Sequence, residues 1–338
     1  MTTLWDTNAG AIVKALSAER RAAGAVAFGI VLTLVVVVDE RHVDEAVAAA
    51  TVGAAAHPCR LIVVTRRLPD SPEPRLDAEV RVGGGLGTGE ACILRMNGRL
   101  ARHAESVVLP LLAPDTPVVT YWFGAPPQRI GQDPLGVLAD RRITDCAEAA
   151  DPLRALRERA ADYQPGDTDL SWTRITDWRS TVAAAFDSAT EPATSARIAA
   201  EPDSPSATLL GAWMGDRLGV PMSGEVSPGP GITSVAVEFA GGATMRIERP
   251  DGRQATLVRT GQPDRTLPLH RRPVGDLLAE ELRRLDADEI YAASLAAGFG
   301  PPRPTSSRGV RAGTGERDAP DGSPDADEPV EQAAGTLR

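Results

Sequence analysis

The chain has 338 residues, which is more than one hydrophobic core usually supports, so its length predicts two domains. Hydrophobic residues make up 42% and charged residues 24%, as in ordinary globular proteins. The net charge of −10 argues against general binding to phosphate backbones and excludes nucleic acid as the expected partner.

The most apolar run of the chain extends from Gly24 to Asp39. It is shorter than the roughly 18–20 residues that a membrane span needs, so it predicts a buried strand from Ile30 to Val38 and no membrane partner. The three cysteines, Cys59, Cys92 and Cys146, stand too far apart for a disulfide framework or a metal knuckle. We therefore expect a cytoplasmic protein without metal or cofactor.

The first half of the chain predicts an α/β domain over residues 1–150, beginning with a helix. A strand, an Ala-rich helix and a second strand over residues 30–67 have the spacing of a βαβ unit. Residues 76–98 alternate on both sides of a glycine cluster, which predicts a hairpin. The G-x-G-x-G run in that cluster could be a phosphate loop, but strand-like residues follow where a helix should begin. A helix over 99–112, a strand over 117–124 and a short helix over 133–142 follow.

The second half predicts an α+β domain over residues 151–300. It opens with a charged helix, and a second helix ends at Gly219 and Pro221. Three strand-like segments separated by glycine turns then predict a small antiparallel sheet, followed by one or two helices. Residues 301–338 are rich in Pro, Gly, Ser and charge, so they predict a disordered tail.

Four aromatic or basic positions in the first domain are candidate site residues. Arg60 begins the second strand of the βαβ unit and could bind an anion. Trp122 lies near the carboxyl end of the strand over 117–124, where open α/β sheets place their sites, unless the next helix buries it. Arg141 and Arg142 are the last residues of that predicted helix, and Asp145 comes shortly after them.

The stretch from Gly166 to Trp178 holds two of the five tryptophans. Asp167, Thr168 or Asp169 can cap a helix that begins near Leu170. In such a helix Trp172, Thr176 and Arg179 lie along one side, and Arg174 pairs with Asp177. The two rings face different neighbours, so each belongs either to a core or to a partner surface. If both rings are buried, the helix is scaffold.

No combination of residues forms a catalytic set. The four histidines lack metal-ligand spacing, no serine lies in a G-x-S-x-G turn, and acidic pairs such as Glu280 and Glu281 are interpreted as solvated helix faces. This pattern weakens an enzymatic interpretation.

Four segments together resemble a known family: HPCR (57–60), PDTPVVTYWFGAPP (114–127), DPLGVLADRRITD (133–145) and DLSWTRITDWRSTVAAAFD (169–187). In order and spacing they are similar to the actinobacterial glucose-6-phosphate dehydrogenase assembly protein family, OpcA. The resemblance implies a non-catalytic partner that assembles or activates glucose-6-phosphate dehydrogenase, the first enzyme of the oxidative pentose phosphate pathway. The matching positions are candidates for the partner surface or for the structure behind it: Arg60, Trp122, Arg141, Arg142, Trp172, Arg174, Trp178 and Arg179.

The alternative function uses the α/β domain and its arginines. In that interpretation the chain is a nucleotide- or sugar-phosphate-binding enzyme, or a metabolite sensor.

Overall fold

The strands of the chain form two sheets, one of eight strands and one of six, in a computed structural model that describes residues 1–24, 29–55, 57–83, 89–187 and 189–300. The fold is α/β, with helices packed on mixed sheets. The predicted disordered tail, 301–338, and the centre of the glycine cluster, 84–88, lie outside the described residues.

The strands are β1 Thr2–Leu4, β2 Leu32–Val38, β3 Cys59–Arg67, β4 Arg75–Val82, β5 Glu90–Asn97, β6 Val118–Phe123, β7 Arg141–Thr144, β8 Asp167–Asp169, β9 Ala193–Ala200, β10 Met222–Val226, β11 Ile232–Phe239, β12 Thr244–Glu248, β13 Gln254–Arg259 and β14 Gln262–Pro268. The α-helices are α1 Ala9–Ala22, α2 Val43–Ala54, α3 Arg99–Arg102, α4 Glu105–Val108, α5 Pro134–Val137, α6 Pro152–Asp162, α7 Leu170–Thr173, α8 Thr176–Phe186, α9 Pro205–Leu218, α10 Val274–Glu281 and α11 Glu289–Phe299.

The first sheet has the strand order β1-β4-β5-β3-β2-β6-β7-β8. The six strands from β5 to β8 in this order are parallel, with β2 inside the sheet, as in a doubly wound fold. The predicted βαβ unit is confirmed as β2, α2 and β3, and the predicted hairpin is confirmed as the antiparallel pair β4 and β5. The sheet ends at β8, beyond the predicted domain boundary at residue 150.

Both faces of the first sheet are covered, which explains why β2 reads as a continuous valine tract rather than as an alternating strand. Leu34 and Val36 face α2 and α10, whereas Val35 packs with α1 and the short helices α3 to α5. Helix α10, far along the chain, therefore completes the cover of a sheet that begins near the amino terminus.

Helices α2 and α10 approach closely because glycines lie at their contact. A Cβ on Gly53 would lie 2.9 Å from the Leu278 side chain, and one on Gly275 would lie 2.7 Å from Val52. Both distances are shorter than ordinary van der Waals contact, so neither position has room for a larger side chain.

The second sheet has the order β10-β9-β11-β12-β13-β14. The predicted meander is confirmed by the antiparallel strands β11, β12 and β13, and β9, β10 and β14 extend it. One face packs on α9 and α11. Helix α9 starts at its cap Ser204 and ends at Gly219 in the left-handed conformation with φ of 64°, as predicted.

One sequence prediction needs correction in the segment after β6. The predicted helix over 133–142 is only one turn, α5, and Arg141 and Arg142 lie in strand β7.

Among the described residues, no helix is long and apolar enough to span a membrane.

Candidate functional site: a buried arginine and tryptophan cluster

The helix of the Gly166–Trp178 stretch begins at Leu170, as predicted, with Asp169 as its cap: the Ser171 amide donates to the Asp169 carboxylate at 2.9 Å. The helix is interrupted, because α7 ends at Thr173 and α8 begins at Thr176. Both tryptophans are buried, Trp172 with 1% and Trp178 with 2% exposure. Both rings therefore belong to the core and neither is exposed.

Trp172 is held from three sides. The Arg179 guanidinium lies 3.6 Å above the ring centroid, the ring Nε1 donates to Asp288 at 2.8 Å, and the Tyr291 ring centroid is 5.7 Å away. Arg179 also donates to the Thr176 hydroxyl at 3.1 Å. Trp172, Thr176 and Arg179 are therefore neighbours, as predicted, although the helix that carries them is interrupted and not continuous.

Trp178 has different neighbours, as the helical spacing predicts. It belongs to the core between the second sheet and its helices, and the Arg249 guanidinium lies 5.0 Å from its ring centroid. Arg249 donates to backbone carbonyls, including that of Ile232 at 2.8 Å. Burial lowers the pKa of Arg249 to about 10, because desolvation disfavours its charged form.

Arg141 connects β7 to α10. It donates to the Glu281 carboxylate and, at 2.8 Å, to the Asp286 carbonyl. Glu281 also accepts from the Thr173 hydroxyl at 2.6 Å. Glu281 is buried, so the interpretation of Glu280 and Glu281 as one solvated face is wrong for Glu281.

Arg142 is buried beside β8. It donates to Asp167 and to the Ala139 carbonyl, the latter at 3.2 Å. Burial raises the pKa of Asp167, although the neighbouring Arg142 charge acts in the opposite direction. The pair thus joins the two last strands of the first sheet.

The predicted pair of Arg174 with Asp177 is wrong. Arg174 donates with both terminal nitrogens to Asp145, at 2.5 and 2.6 Å, whereas Asp177 lies 3.8 Å from Arg272. The interruption between α7 and α8 removes the continuous helical spacing on which that prediction depended. Burial raises the pKa of Asp145, because its surroundings exclude water.

These contacts form one buried cluster, which we call the arginine cluster. It joins β7, the α7–α8 region and the segment around α10 through the members Arg141, Asp145, Trp172, Arg174, Arg179, Glu281 and Asp288. Arg174 and Arg179 are the half-buried arginines among these members. Its arginine–carboxylate pairs connect segments that are far apart in the chain.

The remaining candidates lie elsewhere. Arg60, at the start of β3, donates to Glu90, which also accepts from Arg20 at 2.5 Å. Arg60 is buried, and its guanidinium also donates to the Leu111 carbonyl at 2.6 Å, so its donors are used inside the chain. Trp122 is buried under α5, where a Cβ on Gly136 would lie 3.3 Å from the ring. The sequence alternative of burial by the following helix is therefore confirmed.

The sequence interpretation missed Trp5, which is 68% exposed. It follows the edge strand β1 and precedes Asn8, the cap of α1. Asn8 is a recognisable helix cap, so the sequence places Trp5 before the start of α1. The sequence does not show whether the Trp5 ring is buried.

The crevice at the carboxyl edge of the first sheet is where doubly wound folds bind nucleotides. Its central strand β2 is followed by Asp39 and Glu40, with no glycine before α2. Acidic side chains repel a pyrophosphate, and a nucleotide loop needs glycines for close backbone approach. The rings of His42 and Phe123 also meet there, with centroids 6.4 Å apart.

The described residues contain neither a candidate metal-binding group nor an exposed cysteine thiol. No group of three histidine, cysteine or acidic side chains there is placed to hold a metal ion. Cys59, Cys92 and Cys146 are buried, and burial raises the pKa of Cys59 and Cys92 to about 12. A protonated, buried thiol is a poor nucleophile.

Several solved structures resemble the chain weakly. The 3-ketoreductase KijD10 from Actinomadura kijaniata is 10% identical over 79% of this chain and 94% of its own, with a TM-score of 0.43. An oxidoreductase from Sinorhizobium meliloti is 12% identical over 79% and 86%, with a TM-score of 0.39. An inositol dehydrogenase homologue from Azotobacter vinelandii is 11% identical over 80% and 86%, with a TM-score of 0.36. Similarity at this level assigns no activity.

The family comparison is more specific. None of the curated proteins searched matches the chain. A family model described as the glucose-6-phosphate dehydrogenase subunit N-terminal domain matches residues 50–161, and one described as the C-terminal domain of that subunit matches residues 165–295. The two matches follow each other in the expected order and together span most of the described residues, so the chain belongs to the OpcA family of glucose-6-phosphate dehydrogenase assembly proteins.

Proposed function

We propose that the chain is a non-catalytic, cytoplasmic assembly factor and allosteric activator that binds glucose-6-phosphate dehydrogenase and supports its active oligomeric state. The observation that carries this proposal is the consecutive match of both domains of the dehydrogenase-associated subunit over residues 50–295. Nothing in the arginine cluster supplies a nucleophile with a base, which agrees with a role without chemistry of its own.

The arginine cluster supports the proposal as a rigid frame. An activator shifts its partner only by binding the active state more tightly than the inactive one. A surface that keeps its shape loses little conformational entropy on binding, so rigid packing behind it favours such discrimination. Buried Arg141, Trp172 and Trp178 can act in this supporting role, and half-buried Arg174 and Arg179 lie nearer to the surface.

The experiment compares the purified dehydrogenase with and without an equimolar amount of the full chain. We expect a larger complex by light scattering and either a higher maximal rate or a lower apparent KM for glucose 6-phosphate. Heat-denatured chain serves as the control for unspecific protein effects. An unchanged mass together with unchanged kinetic constants would contradict the proposal.

A ligand-binding function is the second candidate, because the strand order of the first sheet is that of doubly wound nucleotide-binding folds. The acidic, glycine-free connection after β2 opposes it. Isothermal titration of the chain with NADP, ATP and glucose 6-phosphate separates the two: micromolar binding by the chain alone favours the ligand-binding candidate, and no binding favours the assembly factor.

A further inference from the structure

The second sheet has one open face. Its other face is apolar and packs on the helices, with Ile198, Val235 and Ile247 in the core. The open face forms a shallow concave surface of about 380 Å³ that is lined by residues of strands β9 to β12 alone. Nothing in the described part of the chain covers it.

Charges on the open face are arranged in rows across the strands. One row contains Ser223, Arg197, Ala236, Arg246 and Val258 as paired neighbours. The adjacent row, two residues further along each strand, contains Glu225, Ala199, Ser234, Glu248, Thr256 and Thr266. The first row is basic and the second is acidic. On the other side of the basic row, Glu238 lies between Ser195 and Thr244.

Within one copy Arg246 pairs with Glu248 at 3.0 Å and Arg197 lies 3.8 Å from Glu225, so a second copy would exchange these pairs for pairs between copies. The side chains of Arg246 and Glu248 are 55% and 44% exposed, and those of Arg197 and Glu225 are 55% and 60% exposed. Between the charged strands, Ala236 and Ser234 of β11 are small. Small residues in the middle of a sheet face allow a second sheet to approach to the usual packing distance of about 10 Å.

A basic row beside an acidic row is complementary to a copy of itself. A two-fold axis that lies between the rows and parallel to them exchanges the rows, so Arg246 of each copy faces Glu248 of the other. The same rotation brings Arg197 of one copy next to Glu225 of the other. Such an interface is isologous, and it closes with two copies.

The area of the face agrees with a reversible dimer. Six strands spaced about 4.8 Å apart and the two facing rows spaced about 6.7 Å apart give about 390 Å² per copy, or about 770 Å² in total. This total is below that of a stable protein interface and fits only a weak, readily reversible association. Because the charged side chains are exposed to solvent in each separate copy, the association should weaken as the salt concentration increases.

We propose that the open face of the second sheet is a docking surface for a second copy of this chain, with the basic row of each copy on the acidic row of the other. This dimer is independent of the dehydrogenase, so the proposal does not depend on the function proposed above.

Sedimentation equilibrium of the full chain alone, over a range of concentrations, tests the proposal. We expect a monomer–dimer equilibrium. The Ala236→Arg variant inserts a long charged side chain at the centre of the face and should raise the dissociation constant at least 100-fold. Arg246→Glu and Glu248→Arg each place like charges opposite one another and should raise it at least 10-fold.

The double variant Arg246→Glu with Glu248→Arg exchanges the rows at β12 and should restore most of the dimer. Arg154→Glu, in the exposed pair of Arg154 with Glu158 on α6, is the matched control and should leave the equilibrium unchanged. Circular dichroism verifies that every variant is folded. A wild-type chain that stays monomeric up to several hundred micromolar, or a dimer that Ala236→Arg leaves intact, would overturn the proposal. Loss of dehydrogenase binding by folded Ala236→Arg, with homodimerisation unaffected, would also overturn it and would give the face to the dehydrogenase instead.

Discussion

The two sheets of this molecule handle charge in opposite ways. The first sheet is covered on both faces, and its arginines, such as Arg141 and Arg142, bind carboxylates inside the fold. The second sheet is covered on one face only, and its arginines, such as Arg197 and Arg246, lie on the open face. The buried arginines connect segments that are far apart in the chain, whereas the exposed ones pair with acids on neighbouring positions of the same face and stay in contact with solvent.

The largest expected effect comes from Trp178→Ala on the covered side of the second sheet. Removing a ring that is 2% exposed leaves a cavity and takes away the contact with Arg249, so we expect a loss of about 3–5 kcal/mol in the free energy of unfolding. Urea titration followed by circular dichroism measures it. Arg246→Ala, on the open face, is the control and should change the free energy by less than about 0.5 kcal/mol. Equal losses of unfolding free energy in Trp178→Ala and Arg246→Ala would contradict the difference between the covered and the open face of the second sheet.

Glu281→Gln tests the ion pair between Glu281 of α10 and Arg141 of β7. Gln retains an acceptor for Thr173 but leaves Arg141 buried without a carboxylate, so we expect a loss of about 3 kcal/mol by the same urea titration. Glu158→Gln disrupts the exposed pair with Arg154 and should cost about 0.5 kcal/mol or less. A stable Glu281→Gln variant would show that packing, rather than the charge pair, holds α10 on β7.

The smallest expected effect is the reaction of the first sheet's thiols. Because burial raises the pKa of Cys59 and Cys92 to about 12, only about one thiol in ten thousand is ionised at pH 8. The native chain should react with Ellman's reagent far more slowly than the same chain in guanidinium chloride. The raised pKa values stabilise the fold fully below about pH 9, and this contribution is lost as the pH rises towards 12. Rapid labelling of Cys59 in the native chain would show that the first sheet opens.

Local signals predicted much of this fold. The valine tract of β2 and the Ser204 and Gly219 signals of α9 depend on neighbouring residues, so the sequence alone locates them. Strand β8, three polar residues, has no hydrophobic period, and only its pairing with β7 makes it a strand.

The contacts of the candidate site join residues that are far apart in the chain. Arg174 has an acid three residues away, yet its partner Asp145 is 29 residues distant in the chain. Arg141 and Glu281 are 140 residues apart. No local spacing specifies such contacts, so the sequence selected residues that proved structurally important without indicating which side chains are buried.

The contact of α10 with α2 also constrains the order of folding during synthesis. Leu277, Leu278 and Leu282 belong to the same core as Leu34 and Val36 of β2. On the ribosome, the part of this side that α10 covers therefore stays exposed until more than two hundred further residues have been made. We expect the first sheet to reach its full stability only when α10 packs on it.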